Sequence, residues 1–415
     1  MNLGSLISFQ NRVENPFIIL KIGKYTFGHC RPIDRSKMQN LKLNYPNFLT
    51  SLNIKKVNGA INTYNIQMVY AIRETDDPNM LERVFSSISN SRTIYISYGD
   101  WTLPQYEYKE EEAILTEVSS SVDFNNSKIE YTLKATSTAL SLTAGYEEFE
   151  ARRAQPSSVI KNLVKSEQYG LKRIFRGMGL MDDAKLNTLI AGDDKEVDLK
   201  AQYCTVIDYI NYLVSCMTFK EDKSNSDLKS SRYYWATYDD IGNEYGGMYF
   251  KVIRVTANAK YNLAYNAYEI DVGYPSGNLV SNFTLTNNES WALLYNHTKE
   301  VQLPSYTYDI DNKGNITSTY SPAITKSLKY GTTVESSKDW WSNMTQYPIS
   351  AKITIKGLLK PAILMSYLKV NTYFYGHKHI SSGLYIITRQ EDTIDNSGYK
   401  TTLNITRISG DEMGE

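Results

Sequence analysis

The sequence predicts a mainly β protein with a small helical insert and two related β-barrel domains in one chain. Three observations carry that prediction. First, Tyr outnumbers the other aromatics, with 34 Tyr against 12 Phe and 5 Trp. Tyr suits half-buried strands and broad interfaces, because its ring packs while its hydroxyl stays wet. Second, short runs of alternating apolar and polar residues recur toward both ends, with two helical patterns between them. Third, the chain echoes itself. Ile114 to Thr136 reads ILTEVSSSVDFNNSKIEYTLKAT, and Ile386 to Arg407 reads IITRQEDTIDNSGYKTTLNITR. Each copy has two apolar residues and a Thr, a polar linker with Asp, a turn of Asn, Ser or Gly, and an alternating strand. Each follows a Tyr-rich segment with a Gly turn, Tyr98-Gly99-Asp100 and Tyr375-Gly376-His377. Self-similarity of this kind marks a repeated supersecondary unit. The competing reading is one slow hairpin pattern arising twice by accident.

The elements follow in order. Phe17 to Ile22 and Tyr25 to Phe27 flank the turn pair Gly23-Lys24. Leu52 to Lys55 and Tyr64 to Tyr70 flank Asn58-Gly59, a strong hairpin signal. Asn79 to Ser89 has helical spacing at Met80, Leu81, Val84, Phe85 and Ile88. Strands are expected at Thr93 to Tyr98, Ala113 to Val118 and Ile129 to Ala135. Pro156-Ser157-Ser158 opens a helix whose apolar face is Val159, Ile160, Leu163 and Val164, and Gly170 ends it. A second helix is expected from Thr205 to Met217, with a Gly- and Asp-rich loop between the two. Strands return at Tyr249 to Val255, Tyr268 to Val272, Ala351 to Ile355, Tyr367 to Phe374, Gly383 to Thr388 and Thr401 to Ile408. These patterns divide the chain into 1–150, a first barrel; 151–228, the helical insert; 229–300, the first part of a second barrel; 301–345, an irregular Tyr-rich excursion; and 346–415, the closing strands.

Composition narrows the function. In 415 residues, 45 Lys+Arg balance 45 Asp+Glu. A nucleic-acid binder that works by phosphate neutralisation needs a cationic excess, so stable nucleic-acid binding is not expected. A 41% hydrophobic content is enough for a buried core. No run reaches the eighteen apolar residues of a membrane helix, and no membrane association is expected. The first residues, MNLGSLISFQNRVENPF, lack the basic start and long apolar block of a signal peptide. Cys30, Cys204 and Cys216 cannot form a full disulfide set and read as buried small hydrophobes in a reducing compartment. Asn-x-Ser/Thr triplets at Asn282, Asn288, Asn296 and Asn404 read as chance matches.

No catalytic signature is present: no phosphate loop, no G-x-S-x-G elbow, no H-E-x-x-H. Gly177-Met178-Gly179 is too short for a dinucleotide fingerprint and reads as a tight turn. His377 and His379 would share one face of a strand and could ligate a metal. Only His29, His297, the cysteines and carboxylates could complete such a site, so the pair reads as a polar strand edge. Glu107, Glu110, Glu111 and Glu112 could be imagined as glycosidase carboxylates, but the alternation in YEYKEEEA reads as a solvated or interfacial strand. Trp340-Trp341 with Tyr347 could stack on a sugar, yet such a pair more often anchors a loop. No catalytic residue, cofactor or metal is assigned.

Four stretches resemble the hub proteins of contractile phage tails, the late-control D family and the hub part of type VI secretion spike proteins. They are Tyr95-Ile96-Ser97-Tyr98-Gly99-Asp100-Trp101; Gly273 to Val280 leading to Phe283-Thr284-Leu285; Ala351 to Gly357 with Pro361 and then Leu368 to Asn371; and Ser382 to Thr388 ending in Gly398 to Leu403. The order and spacing match over most of the chain, helical insert included, but Ser305 to Trp341 has no counterpart. The resemblance implies a structural, non-enzymatic baseplate hub in the virion, made in the host cytoplasm. It implies a homotrimer whose six barrels look sixfold to a hexameric tail tube protein and threefold to a trimeric central spike or needle. An axial channel would pass DNA or tape-measure protein, with baseplate wedge proteins outside, and zero net charge suits its lining. Three other readings remain open: a carbohydrate- or receptor-binding β protein, a peptidoglycan hydrolase, and a distal tail adaptor.

Overall fold

The structure is a computed structural model. It describes residues 16–30, 45–86, 92–100, 109–168, 171–175, 181–217, 231–239, 248–256, 267–273, 280–287, 305–310, 316–321, 349–356, 364–375, 377–379 and 381–410.

The chain is mainly β, with few and short helices. The first half supplies β1 (Pro16–Ile22), β2 (Tyr25–Cys30), β3 (Tyr45–Pro46), β4 (Leu49–Val57), β5 (Thr63–Ala71), the helix α1 (Met80–Ser86), β6 (Thr93–Asp100), β7 (Lys109–Asp123) and β8 (Lys128–Ser137). Their alternation is plain in β8, where every second residue is buried. β7 turns the corner of this half. Its start pairs with β6, and from Ala113 on it pairs with β8, with a bulge between Leu115 and Glu117. Strands β1, β2 and β4 to β8, with α1, share one apolar core that includes Leu20, Ile66, Leu81, Ile96 and Leu133.

The insert follows. β9 (Glu147–Ala154) pairs with β10 (Val197–Cys204), and four helices accompany them: α2 (Pro156–Lys165), α3 (Leu171–Ile174), α4 (Asp183–Leu189) and α5 (Val206–Cys216). The segment expected as a Gly- and Asp-rich loop therefore holds two short helices and a strand. Thr205 caps α5, its hydroxyl accepting from the Asp208 N–H. At α2, Pro156 sits in the first turn but no local side chain caps it. Asp194, remote in sequence, accepts from the Ser157 backbone N–H and hydroxyl instead. Phe149 and Tyr209 stack at 4.1 Å between centroids inside this second core. Gly170 and Gly177 to Gly179 lie outside the described residues, as do Ile88 and Ser89 of the first helical pattern.

β11 (Ser231–Tyr238) and β12 (Tyr249–Thr256) form a wall between insert and second half. Tyr233 and Trp235 pack into the insert core, whereas Tyr234, Ala236 and Tyr238 face the core of the second half. A strand covered on both faces reads as nearly continuous apolar sequence, as YYWATY does. The second half continues with β13 (Ala267–Gly273), β14 (Val280–Asn287), β15 (Ser305–Ile310), β16 (Ile316–Ser321), β17 (Ile349–Lys356), β18 (Tyr367–Phe374), β19 (His377–Lys378), β20 (Gly383–Asp395) and β21 (Gly398–Gly410). The described part of the Tyr-rich excursion is not irregular, because β15 and β16 form a hairpin with Ile310 opposite Ile316.

One large sheet runs through both halves in the order β14-β17-β21-β20-β4-β5-β8-β7-β6-β1-β2-β3. β20 and β21 are each 13 residues long; β20 runs well past the expected Thr388 end, and β21 begins at Gly398, before the expected Thr401. The residues read as a polar linker, Arg389 to Asp395, are strand, and so are Glu117 to Asp123 of the first echo.

Candidate assembly interface

The sheet order contains the same four-strand module twice. β4-β5-β8-β7 is followed on its other side by β14-β17-β21-β20. The correspondence holds residue by residue. Val118 opposes Leu133 as Gln390 opposes Leu403, and Val122 opposes Ile129 as Ile394 opposes Tyr399. Leu52 opposes Ile66 as Phe283 opposes Ile353. The irregularities repeat as well. The bulge between Leu115 and Glu117 recurs between Ile387 and Arg389. The shift between Leu49 and Ser51 recurs between Val280 and Asn282. The likeness is not carried through the rest of each half: β1 runs antiparallel to β6, whereas β13 runs parallel to β18.

The two modules are joined edge to edge within the chain. β20 pairs antiparallel with β4, Arg389 opposite Val57 through Asp395 opposite Ser51. Side chains stitch this seam: the Asn53 amide donates to Glu391 at 3.1 Å and to Thr393 at 3.0 Å.

Behind the seam lies a fully buried polar network that the sequence reading missed. Lys56 of β4 donates to Glu111 of β7 at 2.5 Å, and the Tyr64 and Tyr98 hydroxyls each donate to the same carboxylate at 2.6 Å. Glu111, expected on a solvated or interfacial strand, has no exposed surface. Glu110 and Glu112 beside it are half-buried, and Glu107 lies outside the described residues. Asp239, at the end of β11, accepts from Ser137 at 2.6 Å and from Asn62 at 2.5 Å. Asp392 of β20 accepts from Thr401 at 2.6 Å and from Gln390 at 2.7 Å. Tyr64 also reaches Asp239 at 3.5 Å, and Asp239 and Asp392 both act on the Lys56 charge, so the three acids form one electrostatic cluster.

Its electrostatics follow from burial. Burial pushes the Glu111 carboxyl up, but the Lys56 charge and three hydrogen bonds outweigh it and hold the pKa below the usual carboxylate value. Burial pulls Lys56 down, and Glu111 more than offsets this, so its pKa stands above the ordinary lysine value. Burial raises the Tyr64 and Tyr98 phenols well above their ordinary range, and the Glu111 charge adds to it. Asp239 is pushed up to about 6 by burial, which the Ser137 hydrogen bond offsets only in part. Asp392 is pushed up to about 6 by burial against hydrogen bonding from Thr401.

Among the described residues, the run of the two modules has an open edge at each end. One is β14, the end of the module run. The other is the outer half of β7, where β6 stops pairing at Ile114 and no described strand takes its place through Asp123. Large apolar side chains are exposed there, at Val118, Val122 and the tip residue Phe124. Exposed strand edges are templates for pairing with another chain.

The remaining sequence candidates are not brought together. His377 and His379 are exposed beside a turn, and the His379 ring bonds Ser381 at 2.8 Å. Among the described residues no three His, Cys, Asp or Glu are placed to hold a metal. Cys204 and Cys216 are buried thiols outside any disulfide. Trp340, Trp341, Tyr347 and His297 lie outside the described residues. Among the described residues, no helix is long and apolar enough to cross a membrane.

No family model matches the chain, and no curated protein matches it in sequence. Solved structures align with it in fold. A tail protein from Neisseria meningitidis MC58 aligns over 94% of this chain and 96% of its own, with 7% identity and a TM-score of 0.47. The 43 kDa tail protein of prophage MuSo2 from Shewanella oneidensis aligns over 95% and 98%, with 10% identity and a TM-score of 0.48. An E. coli component of the type VI secretion system aligns over 89% and 77%, with 8% identity and a TM-score of 0.45. Two of these three structures are named tail proteins and the third a type VI secretion component.

Proposed function

We propose that this chain is a structural hub of a phage tail baseplate, acting as a homotrimeric ring and catalysing no reaction. One observation carries the reading: the four-strand module occurs twice, joined edge to edge, with an open edge at each end of the run. A chain of two like units, present three times, offers six similar units around an axis. Its partners would be a hexameric tail tube on one face and a trimeric central spike on the other. An axial channel would pass DNA or tape-measure protein, and baseplate wedge proteins would sit outside. The location would be the virion tail. The chain divides in this reading into a first β unit to about residue 150, a helical insert to 228 and a second β unit beyond it, interrupted at 301–345. The internal seam supports the same picture, because strand pairing and the Asn53 hydrogen bonds join the two modules across it, and Asp239 beyond the insert is held by Asn62 and Ser137 of the first half.

The test is electron microscopy of the purified chain. End-on class averages are expected to show a central hole ringed by six similar densities, with threefold symmetry on refinement. Solid particles, or rings with a number of densities other than six, would contradict the reading.

A further inference from the structure

Inside the chain, β20 gives its outer edge to β4, and burial records the contact. Ile394 and Gln390 on β20 are both 0% exposed. Their counterparts on β7, Val122 and Val118, are 49% and 37% exposed. Leu52 on β4 is fully buried, whereas its counterpart on β14, Phe283, is only half-buried. Each open strand therefore lacks the cover that its counterpart has. The two open strands lie at opposite ends of the module run, and the chain does not pair them with each other. Both carry the bulge that shapes the corresponding strand of the internal seam.

Resting on the hub reading, we infer that the seam between copies is an antiparallel pairing of the outer edge of β7 with β14 of a second copy, in the register of the internal seam. Carrying over Ile394–Leu52, Thr393–Asn53, Asp395–Ser51 and Glu391–Lys55 places Val122 opposite Phe283, Ser121 opposite Thr284, Asp123 opposite Asn282 and Ser119 opposite Thr286. The occupant is a second copy because both halves of this seam sit on the same chain, and the internal seam already shows that two such edges fit. The contact is head-to-tail, so it closes into a ring or runs on as a filament. The strand angle built into the internal seam would repeat at each outer seam, which favours closure. The outer seam also differs in chemistry. Ser120 stands where Asp392 stands in the internal one, so this joint has no buried carboxylate at that position.

Paired cysteines in the full chain test the register. Ser121→Cys and Thr284→Cys occupy the places of Thr393 and Asn53, whose side chains touch at 3.0 Å. Under mild oxidation this double variant is expected to give covalent dimers and trimers on a non-reducing gel. Each single variant, and the displaced pair Glu117→Cys with Thr284→Cys, is expected to run as a monomer. A chain that is trimeric by light scattering yet links no better with the matched pair than with the displaced pair would overturn this seam and leave the hub reading standing. A chain that stays monomeric at every concentration would overturn both.

Discussion

At the scale of single residues, the internal seam depends on one buried lysine among three buried carboxylates. Lys56 neutralises Glu111, which Tyr64 and Tyr98 also hold. Lys56→Met removes the cation and leaves the carboxylate buried with two phenols, a change that costs on the order of 3–5 kcal/mol. Denaturant unfolding is expected to show that loss, and Lys56→Met with Glu111→Gln is expected to recover part of it. The other two acids set a pH dependence. Asp239 and Asp392 have folded pKa values of about 6 against an ordinary 3.8. Below pH ~4 both states hold the proton. Between about 4 and 6 the unfolded chain loses it first, so these two groups lower stability as pH rises through that window, by on the order of 3 kcal/mol each, and add nothing further above it. Glu111, lowered in the fold, acts the opposite way: its contribution is present at neutral pH and is lost as pH falls below the ordinary carboxylate value. The difference in stability between Asp392→Asn and the parent chain is therefore expected to grow in favour of the variant from pH 4 to 6 and to stay constant to pH 8. None of this was legible in the sequence. Glu111 sits in a run of three Glu, and a charged run ordinarily marks a solvated face. Its partner Lys56 is 55 residues away, and only the fold brings them together.

At the scale of elements, the strands were legible where one face is apolar and illegible where both faces are polar. Phe17 to Ile22 and Tyr367 to Phe374 alternate or run apolar and were found. Arg389 to Asp395 reads as a linker in sequence because Gln390 and Asp392 are buried through hydrogen bonds rather than through apolar surface. The hairpin at Asn58-Gly59 was legible, but its role was not. Gly59 has φ +75°, and a Cβ there would stand 2.8 Å from Oδ1 of Asn211 on α5. That amide also accepts from the Trp235 indole at 2.7 Å and donates to the Gly59 carbonyl at 3.0 Å. The turn is thus a docking point for the insert. Gly59→Ala is expected to destabilise the fold by about 1–3 kcal/mol, from positive φ and the displaced Asn211 together. Thermal unfolding checks it. The open edge makes a contrasting prediction. Val122→Lys puts a charge on a half-exposed edge position, so the single chain should keep its stability to within about 0.5 kcal/mol. Assembly should be lost, since the charge would be buried at a seam. Concentration-dependent sedimentation distinguishes the two effects.

At the scale of the whole molecule, duplication organises the chain. The echo between Ile114–Thr136 and Ile386–Arg407 was visible as a weak pattern, and the shared bulges turn it into a shared backbone path. The other two strands of each module carried no such signal, because β4 and β14 match in pairing and irregularity without matching in sequence. One module pair per chain gives a surface that is incomplete at both ends. Three chains joined through those ends are the smallest ring that provides six modules. Static light scattering after gel filtration tests this most directly, from dilute to concentrated protein. The account predicts a particle of 3 × 47.4 = 142.2 kDa. A mass of 47.4 kDa at every concentration would contradict it.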